Sequence, residues 1–198
     1  MSGEKIAADV ENSTRLNTFI KYAGLEICED ILFHREHLPK KGAQLYQALL
    51  VKSVEFQRLK NSQKGKKPVL SKQQYDLIFP QNGVTDISKF DITLYACVIQ
   101  EMFKQKYQKE IEEVRKWRNE ISHQGQKPMS DNDFNQKWAS FMQFVASCGI
   151  NTGKYVNLKT CALDKLSQLN SRYVPYYQLV KTMGLFNPLT ADVGICRN

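Results

Sequence analysis

The sequence predicts an all-α protein, a helical bundle with an additional helical segment at its C-terminal end. Three observations carry that prediction. Apolar residues recur three and four positions apart through one segment after another, the spacing that gives a helix a single apolar face. Helix-start residues such as Ser and Asp precede these segments, and Gly or Pro follows several of them. No stretch alternates apolar and polar residues as a half-buried strand would. Residues 1–12 are expected to be disordered, 13–150 to form the bundle, and 151–198 to form an appendage docked on it.

Taken in order, Ser13 is a good N-cap, and Leu16, Phe19, Ile20, Ala23, Ile27 and Ile31 then share one face, so a long helix should run to about Phe33. Gly42 should open a second helix that continues to Asn61 on the apolar face of Leu45, Leu49, Leu50, Val54, Phe56 and Leu59. The basic segment 61–68, NSQKGKKP, reads as a loop. Ser71 and Gln74 stand in capping-box register for a short helix that Phe79-Pro80 ends. Residues 81–84 form a turn, and a helix begins after Asp86 or Ser88 and reaches about Gln105 with Leu94, Cys97, Val98 and Met102 inward. A very short joint at 105–107 leads into the next helix, so the two should pack as an antiparallel hairpin. Ser130 with Asp133 caps another, on which Phe134, Trp138, Phe141 and Val145 face the core until Gly149. Two shorter helical patterns, 161–170 and 175–183, follow a break at 151–153. Trp117 and Trp138 read as core aromatics.

The composition narrows the function classes. Hydrophobic residues make up 42% and charged residues 24%, ordinary values for a globular chain rather than a disordered or fibrous one. No apolar run is long enough to span a membrane, and the start carries no secretory or transit pattern. Five widely spaced cysteines without zinc spacing point to reduced thiols and to a cytoplasmic or nuclear protein. His34 and His37 stand three apart, yet no other ligands cluster near them. They read as partners of a helix C-terminus, and no metal or cofactor is expected. The net charge of +8 is concentrated between Lys40 and Lys72, where nine basic residues face Glu55 alone. Such a patch can meet phosphate backbones or an acidic protein surface, or serve solubility alone.

The stretch 109–123, KEIEEVRKWRNEISH, organises the rest. Ile111, Val114, Trp117 and Ile121 make an apolar stripe, with Arg118 at its border. Continued as a helix, the five residues from Arg118 to His123 turn about 500° and leave the two positions roughly 140° apart. They converge if the helix frays near His123, or if a second subunit completes the site.

An arginine four to six residues ahead of a histidine, with a polar residue after the arginine, resembles the signature of the HEPN superfamily. The flanks make the resemblance specific. LSKQQYDLIFP (Leu70 to Pro80), FDITLYACVI (Phe90 to Ile99), RKWRNEISH (Arg115 to His123) and SDNDFNQKW (Ser130 to Trp138) occur in the same order as in the HEPN domain named after the DAZ-interacting zinc-finger ubiquitin ligase, over about residues 16–150. The joint between the FDITL helix and the motif helix is shorter here. The resemblance implies a HEPN-type bundle that forms homodimers, and RNA binding that in many members extends to metal-independent endoribonuclease activity. It assigns the motif positions to Arg118, Asn119 and His123. Lys64, Lys66 and Lys67 of the basic loop, with Arg115 on the motif helix, are the expected RNA contacts. Two readings compete with catalysis. Arg118 could pair with Glu112 or Glu113 while Asn119 and His123 end the helix. Alternatively, the domain could be a protein-interaction module in a signalling or ubiquitin-related pathway, docking partners through the C-terminal segment and Tyr173, Tyr176 and Tyr177.

Overall fold

The computed structural model describes residues 3–40, 42–61, 68–124 and 128–161, with the side chains of all but 3–7 and 121–124. Among them the fold is all-α. Seven α-helices follow in order: α1 (Gly3–Glu29), α2 (Gly42–Leu50), α3 (Ser53–Lys60), α4 (Lys72–Ile78), α5 (Ile92–Phe103), α6 (Gln108–Gln124) and α7 (Asp131–Ser147). No strand occurs among the described residues, only one isolated bridge between Gly42 and Thr85.

Helix α1 is the axis of the bundle and packs on α5, α6 and α7. Leu16, Phe19, Ile20, Ala23 and Ile27 are buried as their spacing requires, and Tyr22, Leu25 and Cys28 are buried as well, so the apolar stripe widens to most of the circumference. The Phe19 ring lies 4.5 Å from Trp138, 4.8 Å from Phe141 and 5.0 Å from Tyr155, centroid to centroid. Gly24 sits where α1 meets the hairpin of α5 and α6. A Cβ there would lie 3.1 Å from Ile92 Cδ1 and 3.4 Å from Val114 Cγ1, closer than most side chains tolerate.

Three expectations need correction. The start of the chain is helical from Gly3 rather than disordered through residue 12. The reason is tertiary: Asn12 is buried, and its amide donates to Met129 O (3.3 Å) and Asp131 Oδ1 (2.7 Å), while Met129 N donates to Asp9 O (2.9 Å). The helix expected from Gly42 to Asn61 is two, separated at Val51-Lys52, where Lys52 N turns back to Leu49 O (3.0 Å). The helix expected to run to about Phe33 is α-helical to Glu29 and then widens into a π turn over Asp30–Arg35, with Glu36 N donating to Ile31 O (3.0 Å). Glu36 anchors that end by accepting from Lys106 and Tyr107 ahead of α6.

The local signals elsewhere match the expected helix starts. Ser71 and Gln74 form the capping box of α4 (3.1 and 3.0 Å), and Ser130 accepts from Asp133 N (3.2 Å) at α7. Helix α5, expected from about Phe90, begins at Ile92. A 3-10 turn over Ile87–Lys89 comes first, and Asp91 then caps the helix through Leu94 N (2.8 Å). Lys104, at φ +50°, ends α5 and lets the chain reverse into α6. Past α7 the chain folds back as a 3-10 turn, Gly153–Lys159, which buries Tyr155 and Leu158 against α1, where Tyr155 and Lys154 both donate to Glu26. The two helical patterns beyond Cys161, with Tyr173, Tyr176 and Tyr177, lie outside the described residues.

Both tryptophans are buried, and Trp117 tilts against Phe141 at 5.2 Å. Cys28, Cys97 and Cys148 are buried free thiols, and Cys161 is partly buried. Burial holds the Cys28 thiol well above the usual thiol range and pushes Cys97 up to about 12. Because the Phe19 cluster joins α1 to α7 and the 3-10 turn, Phe19→Ala should cost about 3–5 kcal/mol in urea-unfolding stability. A loss under about 1 kcal/mol would show that α1 does not carry the core.

Candidate functional site

Helix α6 buries Ile111, Val114 and Trp117 and thereby turns Arg118 and Asn119 to solvent. Arg118 Nη1 donates to Asn119 Oδ1 (3.1 Å). On the same helix Glu112 accepts from Gln108 (2.7 Å) and Glu113 pairs with Lys116 (3.2 Å). Glu120, within the motif stretch, forms an ion pair with Lys137 of α7, which fixes the rotation of α6 there. The Trp117 indole nitrogen is buried without a hydrogen-bond partner among the described residues.

The helix does not fray before its last motif residue. Its backbone stays helical through Gln124, so positions 118 and 123 are separated by five helical steps, roughly 140° around the axis. One copy of α6 therefore presents them on different faces. The His123 side chain itself lies outside the described residues, as do Lys64, Lys66 and Lys67. Arg115, one turn before Arg118, is half-buried, and its guanidinium donates to Gln100 of α5 (3.0 Å).

Arg118 instead lines a cleft of about 390 Å³ between α1 and the start of α5. Lys21 of α1 and Lys89 of the 3-10 turn line it too, so three cations from three separate segments converge on one space. Its apolar walls are Ile20, Leu25, Phe90 and Ile92. Asp91 is the single carboxylate in the lining, and its Oδ1 is occupied by the Leu94 backbone. Lys89 is paired only loosely, 3.7 Å from Asp86 at an exposed position. Lys21 has no hydrogen bond or ion pair among the described residues, and burial lowers its pKa below the ordinary lysine value. Lys21 and Lys89 were absent from the residues the motif suggested. The signal for Lys21 was a lone cation inside an apolar run, FIKYAGL.

The model of the DZIP3/hRUL138-like HEPN family matches residues 43–170, more than half of the chain. The chain belongs to the DZIP3/hRUL138-like HEPN family. No curated protein and no solved structure matches it. Within this HEPN chain the matched stretch takes in α2 to α7 and continues past the 3-10 turn, beyond residue 150 where the sequence motifs ended. It leaves out α1, so Lys89 and Arg118 of the cleft belong to the family stretch whereas Lys21 does not. Among the described residues no group of three His, Cys, Asp or Glu side chains could hold a metal ion, and His34 is engaged by Asp30 (3.1 Å) and Lys40 (3.1 Å). No described helix is long and apolar enough to cross a membrane.

Holding Lys21 charged in the cleft opposes folding, because burial penalises the ammonium and no anion among the described residues compensates. Lys21→Met should therefore raise the urea midpoint at neutral pH. Since the folded pKa is lowered, the wild type sheds this penalty as pH rises through that value toward 10.5, and the advantage of the variant should shrink over the same interval. An unchanged midpoint at neutral pH would mean that the Lys21 ammonium stays fully solvated.

Proposed function

We propose that this HEPN domain binds RNA through the Arg118 face of α6. In this proposal two copies of the chain bring Arg118, Asn119 and His123 into a shared cleft where RNA is cut without a metal. The observation that carries the reading is the convergence of Arg118 with Lys21 and Lys89 on one cleft, a concentration of positive charge suited to a phosphate backbone. The separation of positions 118 and 123 around an unbroken helix favours the two-copy arrangement, and an isologous contact between α6 helices is its simplest form.

The chemistry needs no metal if three tasks are covered. A base removes the proton from the ribose 2′-hydroxyl, whose oxygen attacks the adjacent phosphorus. Arg118 stabilises the crowded anionic phosphorane by forked hydrogen bonds. An acid gives a proton to the departing 5′-oxygen. Histidine can act as base or acid near neutral pH, and two copies of His123 divide the tasks that one could not perform together. Asn119 orients the imidazole or holds a ribose hydroxyl. The products are a 2′,3′-cyclic phosphate and a 5′-hydroxyl.

A second reading, a protein-interaction module in the cytoplasm or nucleus, is favoured by a different observation. Val51 and Val54, at the break between α2 and α3, are 79% and 61% exposed, and lysines crowd the same stretch. The segment after residue 150 is the other candidate for partner contacts in that reading. Arg118→Ala would then leave function intact.

Cleavage of labelled single-stranded RNA in excess EDTA separates the two readings. The wild type should give cyclic-phosphate ends, with His123→Ala lowering the rate at least a hundredfold, on the order expected for loss of a general acid or base. Equal rates for the two proteins would assign any cleavage to a contaminant and remove His123 from the site.

A further inference from the structure

We propose that the cleft between α1 and the start of α5 holds one unstacked nucleotide of a single-stranded RNA. Its base lies on Ile20, Leu25, Phe90 and Ile92, and its phosphate lies among Lys21, Lys89 and Arg118. This rests on the RNA reading above and adds the form of RNA that the site accepts. The cleft sets three cations over the exposed edges of four apolar residues, Ile20, Leu25, Phe90 and Ile92, whose bulk is buried in the core. A nucleotide is the unit of RNA that carries both chemistries at once. The volume of about 390 Å³ is at the small end of ligand sites, roughly 300–1,000 Å³, and suits one such unit rather than a stacked pair.

Charge decides the polarity of the occupant. The lining holds three cations against the single carboxylate of Asp91, which already caps α5. Lys21 is the most telling of the three. It is partly desolvated, with its pKa lowered, and no protein anion meets it among the described residues. A phosphate oxygen beside it would relieve that cost. Asn17, also in the lining and without a hydrogen bond among the described residues, is positioned to meet a base edge or ribose hydroxyl. A base can enter only if it has left its stack, so a duplex must break a pair to use the cleft, whereas a single strand need not. Arg118 lines the cleft and belongs to the motif on α6, so the nucleotide held here adjoins the one at the proposed site of cleavage.

The test measures fluorescence anisotropy of a labelled oligonucleotide of roughly 12 residues, a length within the usual single-strand site size. It is 2′-O-methylated to block cleavage, and is offered as a single strand and as a blunt duplex. The full chain is compared with Lys21→Gln, Lys21→Arg and Arg118→Ala, each checked for folding by circular dichroism. The wild type should prefer the single strand by about tenfold, the size expected of one base and its contacts. Lys21→Gln should weaken single-strand binding about tenfold and duplex binding much less, so that the preference is lost, and Lys21→Arg should regain most of it. If Lys21→Gln keeps wild-type affinity and preference while Arg118→Ala weakens both forms, the cleft is not the nucleotide site and the RNA reading stands without it. Equal wild-type affinity for both forms also overturns the proposal, and no wild-type binding to either overturns it together with the RNA reading.

Discussion

The burial of α1 along most of its circumference is the constraint on which the rest of the structure depends. Three helices and a 3-10 turn lean on it, and Phe19 gathers rings from α7 and from the turn around one point. A helix enclosed in this way has no generous polar face on which to carry charge. Lys21 therefore emerges beside the α5 start because the packing leaves an opening there, bounded by Ile20 on one side and Phe90 on the other. The close approach at Gly24 sets the same geometry, since a larger residue would drive Ile92 and Val114 away and reshape the cleft. The element that builds the core thus supplies one of the site's charges, although it lies outside the stretch that defines the family.

Helix α6 imposes the second constraint. Its apolar stripe docks on the core, the Glu120 to Lys137 ion pair fixes its rotation, and its regular backbone through Gln124 separates the faces of Arg118 and His123. In the proposed function this rigidity determines how the chemistry is organised. An arginine and a histidine that cannot meet on one helix can meet across two, and symmetry then supplies the second histidine that acid and base catalysis require. Membership of the family establishes the kind of domain, and the tasks assigned to individual side chains rest on this geometric argument.

What could be read from the residues was what is settled locally. Ser71 with Gln74, Ser130 with Asp133 and the apolar spacing of α5 and α6 marked their helices because each signal and its partner lie within a turn or two. The ordered start of α1 was illegible because the partner of Asn12 is Asp131, 119 residues away. The break at Val51-Lys52 contains neither glycine nor proline, so no local chemistry announces it. At the site, Arg118 and Asn119 were accessible from the motif, but Lys21 and Lys89 join Arg118 only through the packing of α1, the turn before α5, and α6. Arg115, expected as an RNA contact, donates to Gln100 of α5, a contact made by the packing of the hairpin rather than by local sequence.

The central claim is that RNA meets this domain at Arg118, and the most direct measurement is the affinity of the wild type and Arg118→Ala for one single-stranded RNA across a range of salt concentrations. The account expects wild-type affinity to fall steeply with salt. It expects the variant to bind more weakly at every concentration, with a log–log slope shallower by about 0.7, the signature of one lost phosphate contact on a single strand. Identical affinities and slopes for the two proteins would contradict it.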